Sequence, residues 1–142
     1  MRARIEVHLP FGQPRAWQAL TDPAWLPRWQ TGLVATQPRH ALDGPETQGY
    51  THTYRRSGRV TEAEVTVLRA EHPHTLHLGV DHPQFHLLLT YALEPVGEHT
   101  RLSCTYDLKL KNLWLRAALP LLRRPIAREM LTDHRRLATL TF

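Results

Sequence analysis

The stretch LTDPAWLPRWQTGL, residues 20–33, sets two tryptophans and two prolines within fourteen positions. Trp25 and Trp29 lie four apart, with Trp17 just upstream. Aromatic density of this kind suits a ligand site, a membrane-facing edge or a packing device. Proline placement decides among them. Thr21 or Asp22 is positioned to cap a brief helix over PAWLPRWQ, with Pro23 at its first position. Pro27 keeps that helix short and Gly32 closes it. Upstream, PRAWQALT reads as a second short helix opened by Pro14, with Trp17 and Leu20 on one face. The stretch is therefore read mainly as scaffold. Trp17 and Trp25 are expected to pack between these helices and a sheet.

Outward from the stretch the pattern is β. RIEVHL (residues 4–9) alternates strictly, placing Ile5, Val7 and Leu9 together. After a weak strand over 33–37, QGYTHTYRR (48–56) puts Tyr50, His52 and Tyr54 on one face. Ser57-Gly58 signals a hairpin. In RVTEAEVTVLRAE, Thr61, Ala63, Val65 and Val67 share one side, and Glu62 and Glu64 face the other way. Leu76, Leu78 and Val80 follow, then Phe85, Leu87, Leu89, Tyr91 and Leu93, then Leu102, Cys104, Tyr106 and Leu108. Connections this short imply an antiparallel meander with one face covered and one wet.

From Asn112 onward the period changes. Leu115, Leu119, Leu122, Ile126, Met130, Leu137 and Leu140 form a stripe at helical spacing, with Asn112 as cap and kinks expected at Pro120 and Pro125. The order is strand, two short helices, about six further strands, one long helix: a single α+β domain over residues 1–142.

Composition narrows the function. At 142 residues the chain can bury roughly 70% of its unfolded surface. No apolar run reaches the span of a bilayer. The polarity of MRARIEVHLPFGQPRAW is not that of a secretory signal, and Cys104 stands alone. A cytoplasmic location is the expectation. The net charge of +5 is carried almost wholly by arginine, Lys109 and Lys111 being the lysines.

The segment LTDPAWLPRW following the first strand, with Leu20, Thr21, Asp22, Pro23 and Trp29 at its marker positions, resembles the START-like (SRPBCC) superfamily. That superfamily includes polyketide cyclases and birch-pollen-allergen-like proteins. The strand pair LLLTYALEPVGEHTRLSCTYDL is similar to the same group's hairpin, through Tyr91, Leu93, Pro95, Gly97, Thr100, Arg101 and Leu102. The likeness spans nearly the whole chain. It implies a helix-grip fold, in which a curved antiparallel sheet of six or seven strands wraps a long C-terminal helix. It also implies a cavity between sheet and helix for a small apolar or amphipathic molecule. Val67, Leu78, Leu89, Tyr91 and Tyr106 would line it from the sheet, and Leu122, Ile126 and Met130 from the helix. Trp29, Tyr50, Tyr54 and His52 would supply its edge and its polarity.

Three histidine readings compete. No metal-ligand spacing is present among the ten histidines, so no metal and no cofactor is expected. His52, inward beside tyrosines, is either a hydrogen-bonded core residue or, with Tyr54, a weak candidate for acid–base chemistry. Asp133 falls within the apolar stripe and must bind a ligand, pair with an inward arginine or emerge at the groove's end. The resemblance equally allows cofactor-free cyclase or dehydratase chemistry, or an interaction module like chaperone activators and ribosome-associated factors. The C-terminal arginines read as a solvated face, with contact to an anionic membrane surface as the second reading. They are not interleaved with exposed aromatics, so no specific nucleic acid is expected. Nothing in the pattern sets the oligomeric state.

Overall fold

Strict alternation calls for a sheet with one face covered, and the topology provides it, with β1 and β2 as its two edge strands. A computed structural model describes residues 1–40 and 47–142. Its elements are β1 (Arg2–Leu9), α1 (Gln13–Thr21), α2 (Leu26–Trp29), β2 (Leu33–His40), β3 (Thr47–Arg56), β4 (Arg59–Glu71), β5 (Thr75–Asp81), β6 (Phe85–Val96), β7 (His99–Leu110) and α3 (Leu113–Leu137). The seven strands form one antiparallel sheet in the order β1-β7-β6-β5-β4-β3-β2. The chain starts at one edge, crosses through α1 and α2 to the other, and walks back strand by strand. The last helix then lies across the inner face: a helix grip.

Register explains which side chains turn inward. Tyr50 stands opposite Val65, Val65 opposite Val80, Val80 opposite Leu87 and Leu87 opposite Leu108. The next rows join Leu78, Leu89 and Tyr106, then Leu76, Tyr91, Cys104 and Ile5. His52 and Tyr54 pair with Ala63 and Thr61, so they share this inner face. The β3–β4 hairpin turns through Ser57 and Gly58, both at positive φ (51° and 76°), which suits the right-handed twist of the strands it joins. Gly49 is required for a different reason: a Cβ there would stand 1.9 Å from the Val65 carbonyl oxygen.

The helices pack through small and large residues in turn. Ala16, Ala19 and Leu20 bury the inner side of α1. Asn112 caps α3, its Oδ1 accepting from the Trp114 amide at 2.7 Å. That helix continues through Pro120 and Pro125 as one element, and its buried residues, Asp133, His134 and Leu137, are confined to its C-terminal end. Among the described residues no helix is long and apolar enough to cross a membrane.

Three local expectations need correcting. Helix α2 is a single turn, because Asp22 Oδ1 accepts the Ala24 amide (2.9 Å) and so closes a turn over Pro23–Trp25 instead of capping a helix. Strand β2 extends to His40, since pairing with β3 supplies what its own sequence pattern lacks. Trp25 does not reach the sheet. Its ring stacks on Phe142 at 4.2 Å, with the Arg28 guanidinium 4.4 Å from its centroid.

Gly49→Ala is expected to destabilise the protein by about 2–3 kcal/mol, because β3 or β4 must shift to admit the methyl group. Chemical denaturation checks it, and a change below about 0.5 kcal/mol would contradict this packing.

Candidate functional site

Between the inner face of the sheet, α2 and the length of α3 lies a cavity of about 430 Å³. Leu78, Leu89, Tyr91 and Tyr106 form its floor; Tyr50, His52 and Tyr54 form one side. Leu122, Ile126, Met130 and Asp133 line it from α3, and Trp29 from α2. Val67 is not among the lining residues. Val67 keeps the inward facing of Val65 and stands opposite Leu78, but it packs against the core, and Val65 is the residue of β4 that takes the cavity wall.

The deep end is built on His134. Its Nδ1 lies 2.7 Å from the Met130 carbonyl, an acceptor, so Nδ1 carries the proton. Nε2 is then a lone pair, and the Tyr91 hydroxyl donates to it at 2.8 Å inside the core. Burial lowers the His134 pKa and raises that of Tyr91 well above its ordinary value, which keeps both groups neutral. Trp29 is 3% exposed, meets His134 edge-on at 5.2 Å, and donates its indole N–H to the Ala19 carbonyl at 2.8 Å. One aromatic cluster therefore joins β6, α1, α2 and α3.

The β3 side has its own chain of bonds. Tyr50 donates to the Thr21 carbonyl at 2.6 Å, and Tyr54 to Gln30 Oε1 at 3.3 Å. His52 Nδ1 lies 3.2 Å from the Tyr54 oxygen, which can only accept from it. This leaves Nε2 as a bare lone pair, buried and without a hydrogen-bond partner among the described residues. Burial pushes the His52 pKa from 6.5 down to about 4 and that of Tyr54 up to about 12. A base so weak is poorly matched to proton abstraction at neutral pH.

Sequence reasoning missed His82 and His134. His82 is 7% exposed, stacked on Phe85 at 4.5 Å, and accepts the Gln84 amide at Nδ1 (3.1 Å). Its Nε2–H therefore donates to Thr61 Oγ1 at 3.1 Å. Nothing in the turn DHPQ signals this burial. A signal for His134 was available, since it sits four residues after Met130 and three before Leu137, on the flank of the buried stripe.

Asp133 resolves into an anchor. Its carboxylate accepts from the Thr31 amide (3.1 Å) and hydroxyl (2.5 Å), with Arg136 Nη1 at 3.5 Å. Arg136 also donates to the Trp29 carbonyl at 3.2 Å. The C-terminal half of α3 is thereby tied to the α2–β2 loop. Toward the mouth, Arg56 pairs with Glu129 at 2.5 Å. Among the described residues no three His, Cys, Asp or Glu side chains gather as metal ligands would.

A family model described as "Polyketide cyclase / dehydrase and lipid transport" matches residues 2–141. The chain belongs to this family. Its fold is similar to that of a protein from Rhodobacter sphaeroides, at 24% identity and TM-score 0.71 over 97% of this chain and 89% of that one. It is also similar to a START superfamily protein from Mycobacterium smegmatis, at 12% identity and TM-score 0.71 over 99% of each chain. Ara h 8.0201 shares the fold at 10% identity and TM-score 0.65, with 97% and 98% of the two chains covered. At these identities the likeness concerns the fold alone. No curated protein matches the chain.

Two outcomes follow for this family member. Tyr91→Phe leaves His134 Nε2 buried without a donor and is expected to cost about 1–3 kcal/mol, read as a lowered denaturation midpoint. His52, His82 and His134 each bind a proton less readily folded than unfolded. Stability is therefore full above pH 6.5 and declines as the pH falls from 6.5 toward about 4, the interval set by His52. His52→Leu should flatten that decline in denaturation curves recorded across the interval. An unchanged slope would show that His52 is not responsible for it.

Proposed function

We propose that this protein binds a small amphipathic molecule in the cavity between sheet and α3, as a carrier or sensor and not as a catalyst. One observation supports this above others: a cavity of about 430 Å³ with largely apolar walls retains a phenol that has no hydrogen-bond partner among the described residues. Tyr106 is 2% exposed and lines the floor, yet its hydroxyl makes no hydrogen bond among the described residues. Every other tyrosine hydroxyl is engaged, by Thr21, Gln30 or His134. A volume in the range of roughly 300–1,000 Å³ with few polar groups is what a drug-sized ligand needs. Tyr106 would fix the ligand's polar atom, and Leu78, Leu89, Leu122 and Ile126 would surround its apolar body. The depressed His52 pKa and the engaged His134 ring favour binding over acid–base turnover. Membership of a family whose description includes lipid transport agrees with this reading.

Decanoic acid serves as the probe. It is expected to raise the melting temperature in proportion to the logarithm of its concentration and to appear in one-to-one complexes by native mass spectrometry. Ile126→Trp fills the cavity and should abolish the complex. Tyr106→Phe should weaken it about five- to tenfold, the loss of one hydrogen bond. If Ile126→Trp binds the acid as well as the parent protein does, the ligand is not in this cavity.

A further inference from the structure

We infer that the outward flank of the first half of α3 is a docking surface for anionic phospholipid bilayers. Three large apolar side chains stand in solvent there: Leu113 is 76% exposed, Trp114 83% and Leu121 83%. None fills a packing role, and a tryptophan this exposed at a helix start finds its natural setting at a membrane–water interface.

The helix separates two faces cleanly. Trp114 and Leu121 lie seven residues apart, each immediately before a leucine that lines the cavity, Leu115 and Leu122. One residue is a rotation of about 100° about the axis. Trp114, Leu121 and Arg128 thus form a stripe alongside the cavity-facing one, not continuous with it. The same segment walls the cavity on one side and presents apolar side chains to solvent on the next.

Charge selects the partner. From Leu108 to Arg128 there is no acidic residue, while Lys109, Lys111, Arg116, Arg123, Arg124 and Arg128 are all basic. Lys111 pairs with Asp81, and Arg116 donates to the Leu110 carbonyl. Arg123, Arg124 and Arg128 form no ion pair among the described residues. Arg128 continues the apolar stripe and Arg124 lies beside it, and this pairing of apolar and uncompensated basic side chains is the pattern of a helix lying in the plane of an anionic interface. A second copy of this chain would bring like charge against like charge. Nucleic acid would engage the arginines and leave Leu113 and Leu121 in water.

Pro120 and Pro125 fall in this half. Lacking N–H groups, they leave the Arg116 and Leu121 carbonyls without their intrahelical donors. The polar headgroup zone can solvate such carbonyls.

The test uses the full chain without added ligand, in sedimentation with vesicles of phosphatidylcholine alone or mixed with phosphatidylglycerol. Binding to the mixed vesicles and not to pure phosphatidylcholine is expected, weakening at least about tenfold from low to high salt as screening removes the arginine contribution. Brominated acyl chains should quench a part of the tryptophan emission that Trp114→Phe removes. The double variant Trp114→Ser/Leu121→Ser and, separately, Arg124→Gln/Arg128→Gln should each lose at least about tenfold in binding with unchanged melting temperature. Ile126→Trp should still bind vesicles, because the surface does not depend on what the cavity holds; a failed ligand test therefore leaves this one standing. The inference is overturned if the parent protein ignores phosphatidylglycerol vesicles, or if both double variants bind them undiminished. It is equally overturned if the serine variant loses only a dimer seen without lipid. Retention of the parent protein on duplex DNA but not on vesicles would assign the basic face to nucleic acid instead.

Discussion

The hydrogen bond from the Tyr91 hydroxyl to His134 Nε2 is the constraint on which the rest of the grip depends. It lies in the core and joins the floor of the sheet to the last helix. Its direction is dictated by the Met130 carbonyl, which holds the proton on the other ring nitrogen. Around it Trp29 ties α2 to α1, and Asp133 with Thr31 ties α3 to the loop after α2. All of these fastenings sit at the C-terminal end of α3. Toward its other end the helix buries no residue fully, and the volume between its leucines and the sheet is the cavity.

That arrangement explains why a void survives beside a close-packed core, which protein interiors ordinarily do not leave. Filling it would require the first half of α3 to collapse onto the sheet, yet its inner leucines are only half buried and its outer face is apolar as well. The polar groups around the void are largely satisfied by one another, and the Tyr106 hydroxyl gives a ligand something to hold. Burial keeps the histidines neutral near pH 7. The histidines and tyrosines of the walls are thus uncharged, and the Asp133 carboxylate is held by Thr31 and Arg136, which leaves the deep walls suited to an apolar guest. One ion pair, Arg56 with Glu129, marks the polar mouth.

Much of this is legible in the order of the residues alone. Alternation in 85–93 and 102–108 marks the inward faces of β6 and β7, and the same parity places Tyr50, His52 and Tyr54 inside. Local rules of this kind depend only on the two-residue period of a strand. They fail where a single residue disturbs the period. The register of β4 breaks between Val67 and Arg69, and no propensity marks a bulge in RVTEAEVTVLRAE. They fail too where a polar residue is buried by partners remote in sequence. His82 needs Thr61, and His134 needs Tyr91, separations of 21 and 43 residues.

LTDPAWLPRWQTGL illustrates the division. Composition, periodicity and capping determined that two short helical segments follow the first strand, that a meander comes next and that one helix ends the chain. Those are local properties, written in neighbouring side chains and the backbone preferences of proline and glycine. Only the tertiary structure decided what each tryptophan does: Trp17 stands edge-on against His72, Trp25 stacks on Phe142, and Trp29 seals the deep end of the cavity against His134. The reason is physical. Spacing sets the direction in which a side chain leaves its helix, but what it meets there is set by segments far away in the chain, whose positions exist only once the sheet has curved and α3 has closed over it.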